Sequence, residues 1–134
     1  MSDPHYRLVI ADDHPLFRGA LREAVSGLLE RVEIAEAGTF DDVVALLDKG
    51  GDIDLVLLDL AMPGVRGFSG LLYLRAERPG APVIVVSGNE DRAVMQHCLE
   101  FGAAAADGDR GCYQSVYFSI RSYERDVVQL ASSR

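Results

Sequence analysis

The sequence predicts an α/β fold, a doubly wound parallel five-stranded sheet with helices on both faces. Three observations carry this expectation. Short apolar segments rich in β-branched residues alternate four times with segments of helical period, and such alternation specifies parallel strands joined by right-handed crossovers. The segment IDLVLLDL at 53–60 is apolar on both faces in its middle, as a strand covered by helices on each side must be. Aspartates stand where the first and third strand segments end, at Asp12-Asp13 and at Asp59.

Each element follows from its residues. Arg7 to Ala11, RLVIA, is a short buried strand stopped by the acidic pair. Pro15 suits the first turn of a helix, along which Leu16, Ala20, Leu21, Ala24, Val25, Leu28 and Leu29 recur at helical spacing. Val32 to Ala37 is the second strand, broken by Gly38-Thr39. Thr39 and Asp42 resemble a capping pair, and Phe40, Val43, Val44, Leu46 and Leu47 form the apolar stripe of a second helix ending near Gly50-Gly51. Ile53 to Leu60 is the third strand. The segment 61–70 holds Pro63, Gly64, Gly67 and Gly70, a loop leading into a third helix of Leu71, Leu72, Leu74 and Ala76 that Pro79-Gly80 ends. Pro82 to Ser87, PVIVVS, is the fourth strand, and Asn89 to Phe101 the fourth helix, with Val94, Met95, Cys98 and Leu99 inward. Ala103 to Ala106 is placed as the fifth strand by its position in the order alone. Val116, Ile120, Tyr123 and Val127 fit a closing helix, yet VYFSI at 116–120 would also serve as a strand. Any departure from a regular fold is therefore expected after Phe101, with an element shifted or exchanged between two chains the first form to look for.

A chain of 134 residues fits a single domain, expected over 1–134. No apolar run approaches the ~20 residues that span a bilayer, and Met1 to Tyr6 lack the basic and apolar stretches of a secretory signal. The expected location is the cytoplasm, with no membrane partner. Cys98 and Cys112 have neither metal-ligand spacing nor the density of a disulfide scaffold. A net charge of −8 argues against direct contact with nucleic acid, which is bound by clustered Lys and Arg. Proteins and cations are the expected partners.

In an open parallel sheet ligands bind beyond the carboxyl ends of the strands, near the switch in strand order. That rule gathers Asp12 and Asp13 from strand one, Asp59 from strand three and Ser87 from strand four. Three carboxylates so close repel one another, and a hard cation relieves the repulsion. Mg²⁺ favours oxygen ligands, takes one or two carboxylates directly, and keeps positions for water and phosphate oxygens. A carboxylate facing such a cation can attack a phosphoryl group, and Asp59 is the candidate.

These residues bring a family into view. VIADDHPLFR at 9–18, LVLLDLAMPGVRG at 55–67, VIVVSGNED at 83–91 and LEFGAAA at 99–105 resemble the receiver domains of two-component response regulators. The likeness is greatest to the NarL/FixJ/LuxR branch, which usually carries a helix-turn-helix output domain. It covers about residues 7–105 and leaves 106–134 as a divergent end. The resemblance implies a flavodoxin-like fold and a signalling phosphoprotein that switches shape to regulate transcription. Asp59 would accept phosphate from a sensor histidine kinase. Asp13, Asp59 and the backbone carbonyl of Ala61 would hold Mg²⁺, with Asp12 assisting through water. Ser87 would bond the phosphoryl group and draw its loop inward, while Pro63 and Gly64 shape the loop after the phosphoacceptor. Such a chain is not an enzyme beyond its own phosphorylation and dephosphorylation. No helix-turn-helix pattern is present, so DNA would be reached only through an output domain.

Two positions depart from the family pattern. The lysine expected after strand five is replaced by Asp109, and the aromatic switch residue of that strand by Ala106. A further carboxylate about 4–6 Å from the site would cost a few kcal/mol at a surface-like dielectric. Arg110 offers a cation nearby, in a different register. The last 28 residues also hold four of the ten aromatics and five of the nine serines; of these, Tyr113 and Tyr117 could share a helical face and serve a homodimer. These departures motivate an alternative function, a receiver-like interaction module not regulated by phosphate. An aspartate-nucleophile phosphatase is disfavoured because Ala61 stands where a second acid is wanted. Nucleotide binding is disfavoured because neither a G-x-G-x-x-G nor a P-loop pattern occurs.

Overall fold

A computed structural model describes residues 6–28, 31–64, 67–86 and 92–107. Along these residues strands and helices alternate strictly: β1 (Tyr6–Ala11), α1 (Pro15–Leu28), β2 (Val32–Ala37), α2 (Phe40–Asp48), β3 (Leu55–Leu58), α3 (Ser69–Glu77), β4 (Val83–Val86), α4 (Arg92–Glu100) and β5 (Ala105–Asp107). The five strands form one parallel sheet in the order β2-β1-β3-β4-β5. The chain first steps outward from β1 to β2, then returns across β1 to β3 and proceeds the other way. The direction of winding therefore reverses between β1 and β3, and a crevice opens there beyond the strand ends.

Two apolar layers hold the sheet. Leu8 and Ile10 of β1, Leu55 and Leu57 of β3, and Ile84 and Val86 of β4 pack with Leu21 and Val25 of α1. The alternate residues Val9, Ala11, Val56, Leu58, Val83 and Val85 pack on the other face with Val43 and Leu47 of α2, Leu71 and Leu74 of α3, and Cys98 of α4. All four residues of β3 and of β4 are buried, so these strands are apolar throughout rather than alternating, as the run at 55–58 predicts. Each such Leu, Ile or Val contributes roughly 1.5–3 kcal/mol by leaving water.

The elements begin and end close to where local chemistry puts them. Pro15 opens α1. The Thr39 hydroxyl caps α2 by accepting from the Asp42 N–H at 3.2 Å. The chain leaves α2 through Gly50 and Gly51, both at positive φ. The third strand is shorter than 53–60; just outside it the Asp54 carboxylate accepts from the Arg7 N–H of β1 and the Asp59 carboxylate from the Ala61 N–H. β5 lies at Ala105–Asp107, two residues beyond the start predicted for it.

Leu99, expected inward, and three further apolar helix residues lie at the surface. Leu16 is 93% exposed, Leu72 and Leu99 are each 48% exposed, and Ala76 is exposed. Leu72 and Leu99 each directly follow a buried residue, Leu71 and Cys98, and the turn of one helical residue carries them off the buried face. The predicted helix or strand at 116–127, and with it Tyr113, Tyr117 and Cys112, lies outside the described residues. No helix among the described residues is long and apolar enough to cross a membrane.

Candidate metal and phosphoacceptor centre

The end of β1 is fixed from three sides. The Asp12 N–H donates to the Ala37 carbonyl at 2.9 Å, continuing the β1–β2 pairing past the last strand residue. The Asp12 carbonyl accepts from the Arg18 guanidinium at 2.7 Å, and the same guanidinium holds Glu36 at 2.8 Å. The Asp12 carboxylate accepts from the His14 N–H two residues on at 2.8 Å, an Asx turn that points Oδ1 back over the rim. Asp59 is fixed in the same way at the end of β3. Its N–H donates to the Ala11 carbonyl at 2.8 Å, and its Oδ1 accepts from the Ala61 N–H at 3.1 Å. The loop that follows is tied back by a bond from the Phe40 N–H to the Pro63 carbonyl at 3.1 Å. Gly64 then turns at φ 88°, with a Cβ there only 3.4 Å from that of Phe40. Pro63 and Gly64 thus shape this loop as expected.

These two local turns, on strands adjacent in the sheet, bring four side chains together. Asp12, Asp13, His14 and Asp59 each offer one ligand atom, and all four atoms lie within 4.8 Å of one another. Asp12 is 2% exposed and Asp59 1%, whereas Asp13 and His14 stand nearer the solvent. The Nδ1 of His14 is 2.9 Å from Asp12 Oδ1, 2.8 Å from Asp13 Oδ1 and 3.7 Å from Asp59 Oδ2. Only the first contact has hydrogen-bond alignment; Asp13 Oδ1 is close but off the line of a bond and, like Asp12 Oδ2, is a buried oxygen with no hydrogen-bond partner. Buried carboxylate oxygens without donors are costly unless a cation satisfies them. The donor set, three carboxylates on a solvent-facing rim, therefore suits a hard divalent ion.

Of the residues singled out in the sequence, the fold unites Asp12, Asp13 and Asp59, with Ala61 joined to Asp59 through its backbone. Ser87, Asp109 and Arg110 lie outside the described residues. Ala106 is on β5, paired with Val85 and half-buried against the apolar layer, so that point of the strand carries a methyl group and no ring. Sequence reasoning missed His14. Its signal was its place directly after the acidic pair, where the Asx turn swings the imidazole over the carboxylates.

Comparison with known proteins agrees with this geometry. Residues 8–106 match the family described as the response regulator receiver domain. The glycerol metabolism activator of Pseudomonas putida is 41% identical over 98 residues, covering 73% of this chain and 44% of that protein. The “Probable transcriptional regulatory protein NarL” of Mycobacterium tuberculosis is 35% identical over 109 residues, covering 78% of this chain and 49% of that protein. The solved receiver domain of NarL from the same organism superimposes with a TM-score of 0.72 at 26% identity, over 98% of this chain and 100% of that one. The chain thus spans about half the length of the curated relatives it matches. A parallel sheet ordered 2-1-3-4-5, an acidic rim at its switch point and these matches together show that the chain belongs to the response regulator receiver domain family.

Proposed function

We propose that this receiver takes a phosphoryl group on Asp59 from a sensor histidine kinase, in the presence of Mg²⁺, and signals by a change of shape. The observation that carries the proposal is the gathering of Asp12, Asp13 and Asp59 oxygens within one 4.8 Å cluster at the β1/β3 switch. In this reading Asp13, Asp59 and the Ala61 carbonyl hold the ion, and Asp12 supports it through water. The ion supplies charge neutralisation, letting an anionic phosphoryl group approach three carboxylates. An Asp59 oxygen attacks phosphorus, the bond to the donor nitrogen breaks, and the kinase histidine leaves with that electron pair. The Ala61 N–H donates to Asp59 Oδ1 and so orients the carboxylate. Ser87 then bonds the phosphoryl oxygens and draws the segment between β4 and α4 inward, so that the surface of α4 changes its partner preference.

With a net charge of −8, the chain is unsuited to phosphate backbones. Contact with DNA is therefore assigned to an output segment outside this sequence, as in the transcription regulators it resembles. The test is detection of phosphate by Phos-tag gel or intact mass, with a phosphodonor and Mg²⁺, on the wild type and on Asp59→Asn. Wild type gains one phosphoryl group and the variant gains none. Equal labelling of both, or of neither, refutes the assignment.

A second reading is favoured by Ala106. With no ring on β5 at that point, the receiver could serve as an interaction module whose partner surface is independent of phosphate. A beryllofluoride titration followed by NMR separates the two. Shifts that spread from the Asp59 loop to α4 support the switch, and shifts confined to the acidic rim support the module.

A further inference from the structure

The main chain of Asp12 is pinned on both sides of its α-carbon. Its N–H donates to the Ala37 carbonyl at 2.9 Å, and its carbonyl accepts from Nη1 of Arg18 at 2.7 Å. That carbonyl lies in the planar peptide group linking Asp12 to Asp13, so its position sets the directions in which both carboxylates leave the chain. Arg18 is itself oriented. Its Nε donates to Glu36 Oε1 at 2.8 Å, and Glu36 Oε2 accepts from Nη1 of Arg22, one turn further along α1, at 2.6 Å. Glu36 belongs to β2, in register with Ile10 of β1. Gly38 leaves room for the guanidinium, since a Cβ there would come within 3.2 Å of Arg18 Nη1. A chain of contacts thus runs from the edge strand, through a side chain that is 23% exposed, to the peptide between two acids.

We propose that Arg18 is a positioning residue for the acidic rim, fixing the Asp12-Asp13 peptide with one arm of its guanidinium while Glu36 of β2 holds the other. This role rests on the reading of the rim as a cation site, and it names the residue outside the rim that prepares it for the ion. The need for a clamp follows from the charges. The carboxylates of Asp12, Asp13 and Asp59 repel one another before any ion arrives, and a turn of the Asp12-Asp13 peptide would swing one of them away. A charged donor binds a carbonyl more strongly than a neutral one, and the planar guanidinium serves Asp12 and Glu36 in one fixed geometry, which the ammonium of a lysine does not. Arg18 acts both as a charge and as a clamp, and the two have opposite signs. As a positive charge it repels a cation, so loss of the charge alone strengthens ion binding. As a clamp it holds the ligand oxygens ready, so its loss weakens binding, by about 10–100-fold for groups that orient ligands in this way.

Calorimetric titration of the full chain with Mg²⁺ reads the sign. Arg18→Met, which keeps the aliphatic stem, binds Mg²⁺ about tenfold more weakly than the wild type. Glu36→Ala, which releases the other arm of the guanidinium, weakens binding less. The double variant binds no more weakly than Arg18→Met, because Glu36 acts through Arg18. Independent charge effects would instead oppose each other and leave the double variant near the wild type. Amide NMR without the ion supplies a second readout. In the wild type the His14 N–H, bonded to the Asp12 carboxylate at 2.8 Å, is protected from exchange. Arg18→Met loses that protection and shifts the Asp13 amide, while the amides of β3 stay in place. Circular dichroism verifies the fold, and Arg18→Lys, which keeps the charge without the fork, carries the same tests if Arg18→Met does not fold. Mg²⁺ affinity that is unchanged or raised in the Arg18 variant overturns the positioning role and leaves the cation site standing. A fall in affinity with the Asp13 and His14 amides undisturbed overturns it equally. Absence of Mg²⁺ binding by the wild type overturns the cation site itself, and this role with it.

Discussion

The two ends of β3 each carry a buried aspartate, and the two do opposite things. Asp54, at the start of the strand, and Asp59, just past its end, are each 1% exposed. Asp54 is spoken for by the neighbouring strand. Its Oδ2 accepts from the Arg7 N–H at 2.8 Å, and its own N–H donates to the Arg7 carbonyl at 2.7 Å, so it latches β1 to β3 below the first ladder pair. The Arg7 guanidinium adds a bond to the Gly50 carbonyl at 3.0 Å and lies so close over Gly51 that a side chain there would collide with it. That rim ties one buried carboxylate to the backbone of β1. At the other rim Asp59 meets Asp12, Asp13 and His14, their ligand atoms all within 4.8 Å of one another. Burial of a carboxylate therefore says little about function; what distinguishes the two ends is that one carboxylate is latched to a neighbouring strand whereas several like charges converge on the other.

The largest test of this contrast is ion-linked stability. Because an ion that binds only the folded chain stabilises it by mass action, Mg²⁺ at about one hundred times its dissociation constant should add about 2.7 kcal/mol to the unfolding free energy of the wild type. Asp59→Asn should lose nearly all of that gain while being no less stable without the ion, since one of the repelling charges is gone. Chemical denaturation with and without Mg²⁺ measures both quantities, and an undiminished gain in the variant would break the contrast at its acidic end.

Asp54→Ala sharpens the other end. Stripping the Arg7 N–H of its carboxylate partner should cost about 1–3 kcal/mol of stability, with Mg²⁺ affinity unchanged within about twofold by calorimetry. A loss of ion binding comparable to that of Asp59→Asn would mean that the two rims are not independent.

The smallest expected effect comes from a titratable group that belongs to neither rim. Cys98 of α4 is fully buried in the apolar layer, and burial pushes its thiol above the ordinary cysteine value. A raised value in the folded chain favours the neutral thiol. Its contribution to stability is complete below the unfolded value of about 8.5 and is lost as pH rises through the higher folded value. Denaturation at pH 8 and pH 10 should thus show a smaller alkaline loss in Cys98→Ala than in the wild type. An identical loss in both would show that the thiol does not ionise on unfolding.

Much of this was legible beforehand because it is local. The segments 7–11, 32–37 and 55–58 are strands on their apolar, β-branched character, Thr39 caps a helix through its own hydroxyl, and Pro79-Gly80 ends one. The switch-point rule then placed Asp12, Asp13 and Asp59 together without coordinates. Failures came where a residue's fate depends on what lies opposite. Leu16 and Leu72 fit the helical pattern but lie at the surface. Asp54 and Asp59 look alike in DIDLVLLDL, and nothing in that string says which one a neighbouring backbone will satisfy. His14 read as a spacer between the acidic pair and Pro15, yet its ring ends among three carboxylates.

By itself, then, the sequence determined the order and kind of the elements, the parallel sheet and the strand ends at which acids gather, since periodicity, turn chemistry and apolar runs act over a few residues. Tertiary structure alone decided which carboxylate is latched to a neighbouring strand and which converge, and that a histidine joins the cluster. Those outcomes depend on distances between β1 and β3, which lie more than forty residues apart in the chain and a single hydrogen-bonded ladder apart in space.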